Sequence, residues 1–411
     1  MKNTLTYLVF LLLFSWQSFA QSISSSPYSL YGLGTVYDAD FGGIPGIGSS
    51  GIALPSTQFI NNLNPASLGF MNLNHFLFDV GGKAILTSYE NSVNKESRNN
   101  AQFSHLALAF PLSDKSAFSL ALKPYSSSTY KISNLSLPII DSDSDYILDA
   151  TGTGGLNDVD ISYGRKFSKK LSLGASASVL FGNTTDDKTF TIGNSITNSY
   201  KTTNYSGARL SFGGQYVVDS TFTIGSTLKL PTKINGSQVG SLTTVNISGS
   251  SVIESEVTTD VDSYYMPFEA GFGISKVFKN NINLTLDYER RFWTSTNQSS
   301  IYGNYADQDK YALGLSYSKP SVIRSYFDRI KYSTGFNYDT GYLEVDGNRV
   351  KNVSLSVGLS LPLENSATAL NISYSYGQKG SIGNGLIKEN YHKLSLNLSL
   401  DAIWFVKRKI D

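Results

Sequence analysis

The sequence predicts an all-β fold, a transmembrane antiparallel β-barrel of about fourteen strands preceded by an N-terminal plug (hatch) segment. Three observations lead to this prediction. An export signal opens the chain, apolar and polar residues alternate with period 2 from about residue 75 onward, and short and long polar links separate the alternating segments in turn. Together they place a plug between the signal and the barrel wall.

The first twenty residues have the three parts of a secretory signal peptide. Lys2 gives a positive start, Leu8 to Phe14 form an apolar core too short to span a bilayer, and Ser18 to Ala20 make a small-x-small cleavage site. Residues 1–20 are therefore expected to be removed, which leaves a mature chain that starts near Gln21. No later stretch of about 18 consecutive apolar residues occurs, so no transmembrane helix is expected.

Composition narrows the classes of function. The 411 residues carry 33 Lys plus Arg against 32 Asp plus Glu, a balance that lacks the basic surface needed to neutralise nucleic-acid phosphates. Only 16% of the residues are charged, which argues against intrinsic disorder. The absence of cysteine excludes a disulfide framework, a thiolate nucleophile and an acylated-cysteine anchor. We expect no nucleic-acid partner and no cofactor.

The barrel wall is predicted from its strands, of which the last is the clearest. From Leu394 to Ala402 every second residue is apolar, and the residues between them are Ser, Asn and Asp. Val353 to Leu361 and Ile282 to Tyr288 repeat the pattern. A soluble β-sandwich also alternates, but here the opposite face is mostly Ser, Gly, Thr and Asn, and the runs reach the roughly 9 to 11 residues that cross a membrane obliquely. The pattern therefore favours an outer-membrane barrel.

The links between the strands orient the barrel. Short links are predicted near residues 112–116, 168–170, 218–220, 279–281 and 363–366, and longer polar links near residues 91–100, 133–155, 184–200, 236–262 and 297–308. Bacterial barrels have short periplasmic turns and long outer loops. The wall is therefore expected over residues 75–406, with both termini in the periplasm and a periplasmic tail at residues 407–411.

Residues 21–74 do not alternate and are predicted to form the plug. They are rich in Gly, Ser, Pro and Asn, with apolar residues such as Ile44, Ile52 and Leu68 dispersed among them. A fourteen-stranded barrel encloses a lumen too wide for its own side chains to fill, so a compact preceding segment is a candidate to occupy it. The alternative is a disordered periplasmic arm, and the apolar content favours the packed plug.

Two features of this segment carry a family resemblance. The glycine-rich run Gly42 to Gly51, and the triplet Asn64, Pro65, Ala66 just before the first strand, resemble the long-chain fatty-acid transporter (FadL-type) family of outer-membrane barrels. The resemblance implies a fourteen-stranded barrel plugged by an N-terminal hatch, with a ligand path at the hatch triplet. It also implies that hydrophobic molecules leave sideways through a gap in the wall.

Pro124 is the second point of resemblance. Proline cannot donate to the strand ladder, so a bulge or break is expected in the third strand. A kink in the third strand makes the lateral opening in that family, so the resemblance implies that Pro124 marks the equivalent opening. The alternative is a strand that has simply passed the edge of the membrane.

The predicted lumen lining departs from the family. Inward positions are mostly Ser, Gly, Thr and Asn, to which several charged residues are added: Asp79, Lys83, Arg209, Lys229, Glu269, Asp287 and Lys331. Because this lining is polar, an apolar cargo would have to be held largely by the plug and the upper strand ends.

Two other kinds of site were weighed. Asp141, Asp143 and Asp145 form a D-x-D-x-D pattern in a predicted outer loop, a spacing that oxygen-rich calcium sites use, although a solvated acidic loop is the commoner outcome. No G-x-S-x-G or H-E-x-x-H motif occurs, and alternation places His105 inward and His392 outward. We expect no enzymatic activity.

The leading functional prediction is a channel or transporter in the outer membrane of a Gram-negative bacterium. It would take up hydrophobic or amphipathic small molecules passively, in contact with outer-membrane lipid and lipopolysaccharide. The alternative is a non-transporting accessory barrel subunit of an outer-membrane protein secretion or assembly complex, with outer-membrane protein partners. The assigned faces also predict that Leu398→Arg impairs folding more than Asn397→Arg.

Overall fold

The structure is a computed structural model that describes residues 26–37, 41–57, 59–139, 142–246, 249–300, 303–319, 325–363, 368–383 and 385–403. The expected signal peptide, Trp404 and the expected tail lie outside the described residues. Within these ranges no helix is long and apolar enough to cross a membrane. The described helices are short 3-10 turns: Pro27–Leu30, Ile44–Ile47, Pro65–Phe70, Trp293–Thr296 and Phe327–Arg329.

The wall is a closed antiparallel barrel of 14 strands, three of them interrupted. The strands are β1 His75–Glu90, β2 Lys95–Ser113, β3 Ser116–Pro124 and Tyr130–Pro138, β4 Asp145–Lys166, β5 Leu171–Ile192, β6 Ser195–Asp219, β7 Phe222–Lys229 and Thr232–Asn246, β8 Gly249–Met266 and Glu269–Val277, β9 Ile282–Arg291, β10 Gln308–Tyr317, β11 Lys331–Asp339, β12 Asn352–Pro362, β13 Ala369–Lys379 and β14 Lys388–Ile403. The predicted all-β barrel is confirmed. β14 closes it against β1, from the His75–Ile403 pair to the Glu90–Lys388 pair.

The two ends of the barrel differ in their links. At the end where β1 begins and β14 finishes, neighbouring strands are joined by short links such as residues 114–115, 167–170 and 278–281. We call this the turn end and the opposite end the loop end. Both ends of the wall therefore meet at the turn end, as the alternation of short and long links predicts.

The side chains of β14 face as the period-2 pattern predicts. Leu394 and Leu396 are about two-fifths exposed on the outside, whereas Asn397 is 1% exposed on the inside. His105 is buried inside and His392 is exposed outside. Asn397 also donates a 2.8 Å hydrogen bond to the Gly42 carbonyl of the plug. Asn397→Arg would therefore disturb the contact between wall and plug, so the two substitutions should differ less than the assigned faces predict.

A band of outward-facing apolar side chains surrounds the wall, and we call it the apolar belt. On β6 it extends from Tyr216 to Leu210, and on β9 from Ile282 to Leu286 and Tyr288. Tyrosines mark both margins of this band, as expected for an interface between lipid and water. The belt is about as tall on both sides of the barrel.

Beyond the belt, one side of the wall continues as a free-standing sheet, which we call the wing. It consists of Tyr130–Pro138 of β3, the loop-end halves of β4, β5 and β6, Thr232–Asn246 of β7 and Gly249–Met266 of β8. One row of paired residues crosses it as Tyr130, Gly152, Asp186, Lys201, Gly240 and Val257. The sequence analysis expected long loops over most of these residues. That expectation is wrong, because each polar segment pairs with its neighbours.

The described residues before β1 lie in the lumen and contact the wall on several sides. Ile44–Ile47 lies against β10 to β13, and Pro65–Phe70 lies against β3 to β6. One apolar cluster joins this plug to the inner faces of β1, β2 and β3. Its members are Phe41, Ile60, Leu68, Met71, Leu77, Ala107, Ala109, Ala117 and Ala121. The dispersed apolar residues of the plug are thus part of a packed core.

Candidate functional site

The hatch triplet is a buried structural junction between plug and wall. The Asn64 side chain is 0% exposed, and its carbonyl caps the Pro65–Phe70 turn by accepting from the Ala66 amide. Its amide group donates to the carbonyls of Ile52, Gly214 and Ser226. Asn64 thus ties two segments of the plug to β6 and β7. The ligand path that the resemblance implied at Asn64, Pro65 and Ala66 stays a prediction.

Glycines in the wall allow the plug to approach closely. A Cβ atom on Gly213 would lie 2.0 Å from the Asn64 side-chain oxygen, and one on Gly174 would lie 2.4 Å from the Pro65 carbonyl carbon. A Cβ on Gly335 would lie 2.0 Å from the Gly48 amide nitrogen on the opposite side. Since real Cβ atoms do not approach so closely, glycine at these inward positions is required by the plug.

A cavity of about 170 Å³ lies between plug and wall, and its lining combines charged residues with apolar ones such as Phe41, Ile52 and Leu180. The cations are Lys83, Lys123, Arg209, Lys229, Arg291 and Lys310, and the anions are Asp158, Asp160, Glu269, Asp287 and Glu289. Glu269, which is 4% exposed, accepts from Arg209 and Lys229 at 2.9 Å each. Of the residues predicted to face inward, Arg209, Lys229 and Glu269 form one network, which Glu289 and Arg291 complete.

Further ion pairs and hydrogen bonds connect this network to its surroundings. Arg291 pairs with Glu289 at 2.7 Å, and Lys123 pairs with Asp158 at 3.4 Å. Asp287 accepts hydrogen bonds from the backbone amides of Gly51 and Ile52, so this carboxylate also holds the plug. The cavity surface therefore carries many paired charges beside its apolar residues, so any occupant must contact ionised groups.

A second buried anchor was missed by the sequence analysis. The Asp79 carboxylate bonds His105 Nε2 at 2.5 Å and accepts from the Gly42 amide at 3.3 Å, and the neighbouring Phe41 ring stacks on His105 at 3.9 Å. Alternation had placed both Asp79 and His105 on the inward face. It could not show that two strands bring them together, because their contact depends on the register between β1 and β2.

Strand β3 is interrupted just after Pro124. The Pro124–Asn157 pair is the last of the first segment, and Ser126 and Ser127 then turn inward to pair with Thr35 and Val36 of the plug. β3 resumes at Tyr130, where it pairs with β4. Among the described residues, β2 pairs with β3 only from Leu106 toward the turn end. The interruption lies where the outward face of β4 changes from Val159 to Asn157, near the loop-end margin of the belt.

Polar atoms surround the interruption. Asn100, Ser126 and Ser128 are more than nine-tenths buried, and their side-chain polar atoms have no hydrogen-bond partner among the described residues. The interruption after Pro124 therefore lies beside both unpartnered polar atoms and the apolar cluster in which Tyr125 packs on Leu156 and Leu180. The lateral opening itself stays a prediction.

An aromatic cap covers the loop end on the side opposite the wing. It is built from the β9–β10, β11–β12 and β13–β14 links, and its buried members are Trp293, Tyr305, Leu343, Val345, Val350 and Leu386, together with Tyr28 of the plug. The Trp293 and Tyr342 rings stack 4.7 Å apart. Small strands at residues 303–305, 343–345 and 348–349 hold the links together.

Polar contacts fix the cap to the plug and to the wall. The Tyr342 hydroxyl donates to the Gly34 carbonyl, and burial raises the pKa of this phenol, so it remains a donor. Asp307 accepts from the amide and hydroxyl of Thr294 and pairs with Arg290 at 3.2 Å. Although partial burial raises the pKa of the Asp307 carboxyl, these donors outweigh it and hold the pKa below its usual range.

The acidic residues proposed for calcium lie at the tip of the wing. Asp143 is exposed, Asp145 accepts from the Ser136 hydroxyl at 2.8 Å, and Asp141 lies outside the described residues. In the described part of the chain, no three acidic or histidine side chains are grouped so as to hold a metal ion. The calcium site stays a prediction without structural support.

Comparisons with known proteins show which proteins share this architecture. Comparison with the curated proteins gives no match. Among solved structures, the toluene transporter TodX of P. putida is 14% identical, with a TM-score of 0.66 over 90% of this chain and 100% of that chain. The monoaromatic hydrocarbon channel CymD is 16% identical, with a TM-score of 0.58 over 90% of this chain and 99% of that one.

A FadL homologue of Pseudomonas aeruginosa is 13% identical, with a TM-score of 0.61 over 90% of this chain and 100% of its own. Identities this low show a shared fold, which confirms the predicted FadL-type outer-membrane barrel. A sequence profile of the family described as BamG matches residues 1–411. Because that match spans the whole sequence, the chain belongs to the BamG family.

Proposed function

We propose that this protein is a non-catalytic, non-transporting barrel subunit of an outer-membrane protein assembly complex in a Gram-negative bacterium. Its family, BamG, is associated with the BAM complex and with outer-membrane protein partners. Its turn end would face the periplasm and its wing would extend outside the cell. The alternative raised by the sequence is thereby preferred to uptake of small molecules.

The observation that carries this proposal is the filled, charged lumen. An apolar molecule gains free energy from contact with apolar surface, whereas here it would displace water from ionised groups such as Glu269 and Arg209. The plug contacts the wall on several sides, and the cap covers the loop end above it. These features support a closed barrel whose outer surfaces, rather than its lumen, perform the function.

Uptake of a hydrophobic or amphipathic molecule is the second candidate. It is favoured by the shared fold with TodX and CymD and by the interruption of β3 after Pro124. In this protein, however, the interruption lies near the margin of the belt and beside unpartnered polar atoms of Ser126 and Ser128. A molecule that leaves there would pass these polar groups before it reached the hydrocarbon of the membrane.

Affinity purification of the tagged full-length protein from native outer membranes tests the proposal. We expect other outer-membrane proteins to be recovered in stoichiometric amounts. In parallel, uptake of labelled toluene and of a labelled fatty acid is compared between cells that express the protein and cells that do not, and we expect equal rates. Recovery of the barrel alone, together with uptake that depends on it, would replace this proposal with the transport function.

A further inference from the structure

Five cations are concentrated at one sector of the turn end. Lys115 lies in the β2–β3 link, and Arg165, Lys166, Lys169 and Lys170 lie at and within the β4–β5 link. The two links are adjacent, because the Lys166 amide donates to the Lys115 carbonyl at 2.7 Å. We call these five residues the basic sector. They lie close enough together to present one positively charged surface.

The charges of the basic sector are not neutralised within the molecule. Across the described ranges, none of the five side chains forms an ion pair, and Lys170 donates only to the Val218 carbonyl, at 2.9 Å. Four of the five side chains are exposed. Nearby carboxylates are few, namely Asp114 in the β2–β3 link and Asp219 at the end of β6. An uncompensated positive surface remains at this end.

The end of the plug adds apolar surface beside these charges. A Cβ on Gly69 would lie 2.8 Å from the Lys166 amide, so the Pro65–Phe70 turn abuts this strand end. Lys166 Nζ lies 5.2 Å from the centre of the Phe70 ring, and Leu73 is 52% exposed. The turn end thus combines exposed apolar side chains of the plug with a positively charged border, a combination found in protein interfaces.

We infer that the basic sector and the adjoining plug end form the docking surface for an acidic protein partner on the periplasmic side. The inference rests on the proposed function and makes it specific, because it gives the location of a partner and the charge of its contacting surface. Complementary charges speed association and fix the orientation of a complex. Leu73 and Phe70 would meet apolar residues at its centre.

Anionic lipid is the other ligand that clustered cations attract. The positions of the five cations favour a protein ligand over lipid. On β4, Arg165 faces outward with Tyr163, but Lys166 follows the inward face of Gly164, which approaches the plug. Lys115, Lys169 and Lys170 lie in the links. Only one of the five cations, Arg165, is therefore placed on the lipid-facing side of a strand.

Charge reversal with a matched control tests the inference. The test variant of the full-length chain is K115E/K169E/K170E, in the basic sector. The control variant is K188E/K201E/K233E, which makes the same change of charge on the wing. Both variants are purified from native membranes at low and high salt, and heat-modifiable gel migration checks folding. We expect the first variant to recover about tenfold less partner at low salt and the second to match the wild type. High salt should release partner from the wild type.

The outcomes separate this inference from the proposed function. Equal recovery by both variants would overturn the docking surface and leave the assembly-subunit function standing, whereas absence of partners from the wild type would overturn both. Binding of anionic lipid is tested by thermal unfolding of both variants in phosphatidylcholine nanodiscs with and without phosphatidylglycerol. If only the turn-end variant loses stabilisation by phosphatidylglycerol while it retains its partners, the basic sector is a lipid site and the inference is wrong.

Discussion

The wing side and the cap side of the barrel differ in how the chain continues beyond the apolar belt. β4, β5 and β6 have 22, 22 and 25 residues, whereas β9, β10 and β11 have 10, 10 and 9. About 9 to 11 residues are enough to cross a membrane. On the wing side, the surplus chain continues as paired strands. On the cap side, the strands stop near the belt, and the links fold back over the lumen.

Local chemistry accounts for this difference. The wing is rich in Thr and Ser, whose hydroxyl groups bond across strands, as in the Thr185–Thr202 and Thr197–Thr244 pairs. The base of the wing packs Ile234 and Met266 in an apolar cluster with Leu33 of the plug. Beyond this base, the backbone groups of the wing hydrogen-bond to neighbouring strands. The cap links contain Trp293, Tyr305 and Tyr342, which must bury their rings. A sheet can therefore extend into water on its ladder, whereas short links need an aromatic core.

The largest expected effect is the loss of the cap when Trp293 is replaced. Trp293→Ala removes a ring that is 3% exposed and stacked on Tyr342, and such truncations cost about 3 to 5 kcal/mol. Tyr200→Ala, at a wing residue that is 49% exposed, should change stability by less than about 0.5 kcal/mol. Urea unfolding of the detergent-folded protein measures both. Similar losses for the two variants would show that the wing also depends on buried rings.

A smaller effect locates the boundary between belt and wing. Leu210 and Tyr200 face outward from β6 and are 51% and 49% exposed. Leu210→Arg should destabilise the barrel by roughly 2 kcal/mol in lipid, because it places a charge in the belt, whereas Tyr200→Arg lies in water and should be neutral. Folding yield into liposomes gives the comparison. Equal penalties would mean that the membrane reaches the wing, and equal tolerance that the belt ends below Leu210.

The attachment of the plug to the two sides should differ as well. Asn64→Ala removes the bonds to Gly214 and Ser226 on the wing side and the cap of Pro65–Phe70, and should cost about 1 to 3 kcal/mol. Ser356→Ala removes one bond, from the Gly48 amide at 3.0 Å, and should cost about 1 kcal/mol. The rate of limited proteolysis of the plug measures how far each substitution weakens its attachment to the wall. A greater effect at Ser356 would reverse this ranking.

The smallest expected effect is a loosening of the cap by acid. The pKa of Asp307 is lowered in the folded state, so its contribution is present above the unfolded pKa of about 3.9 and is lost as the pH falls through the folded value. The site is partly exposed, so less than about 1 kcal/mol is involved. Hydrogen exchange of residues 342–345 should quicken on acidification in the wild type and depend less on pH in Asp307→Asn. Unchanged dependence in the variant would assign the effect to another group.

The sequence predicted best what depends on local pattern. The period-2 alternation identified the strands and the two faces of β14, because successive side chains of any β-strand point to opposite sides of the sheet. Pro124 marked the interruption of β3 for the same local reason. The Asn64 triplet indicated where the plug ends, although its hydrogen bonds to β6 and β7 depend on long-range packing.

The wing and the cap were not predicted because their partners are distant in sequence. A Thr-rich segment such as residues 184–200 is equally compatible with a solvated loop or a paired strand, and only its neighbours decide. The stacking of Trp293 on Tyr342 brings together two links separated by two strands. The charged network around Glu269 likewise combines inward residues of several strands, and alternation alone cannot say which of them meet.

The position of the plug imposes an order on assembly. The plug precedes β1 in the chain, while the wall closes only when β14 pairs with β1 along its full length. The glycines at positions 174, 213 and 335 leave no space for a side chain between wall and plug. The cap covers the loop end, so a folded plug could enter a finished cylinder only from the turn end and past these close contacts. We therefore expect the wall to close around a plug that is already in place, so that residues early in the chain guide the ring that the last strand completes.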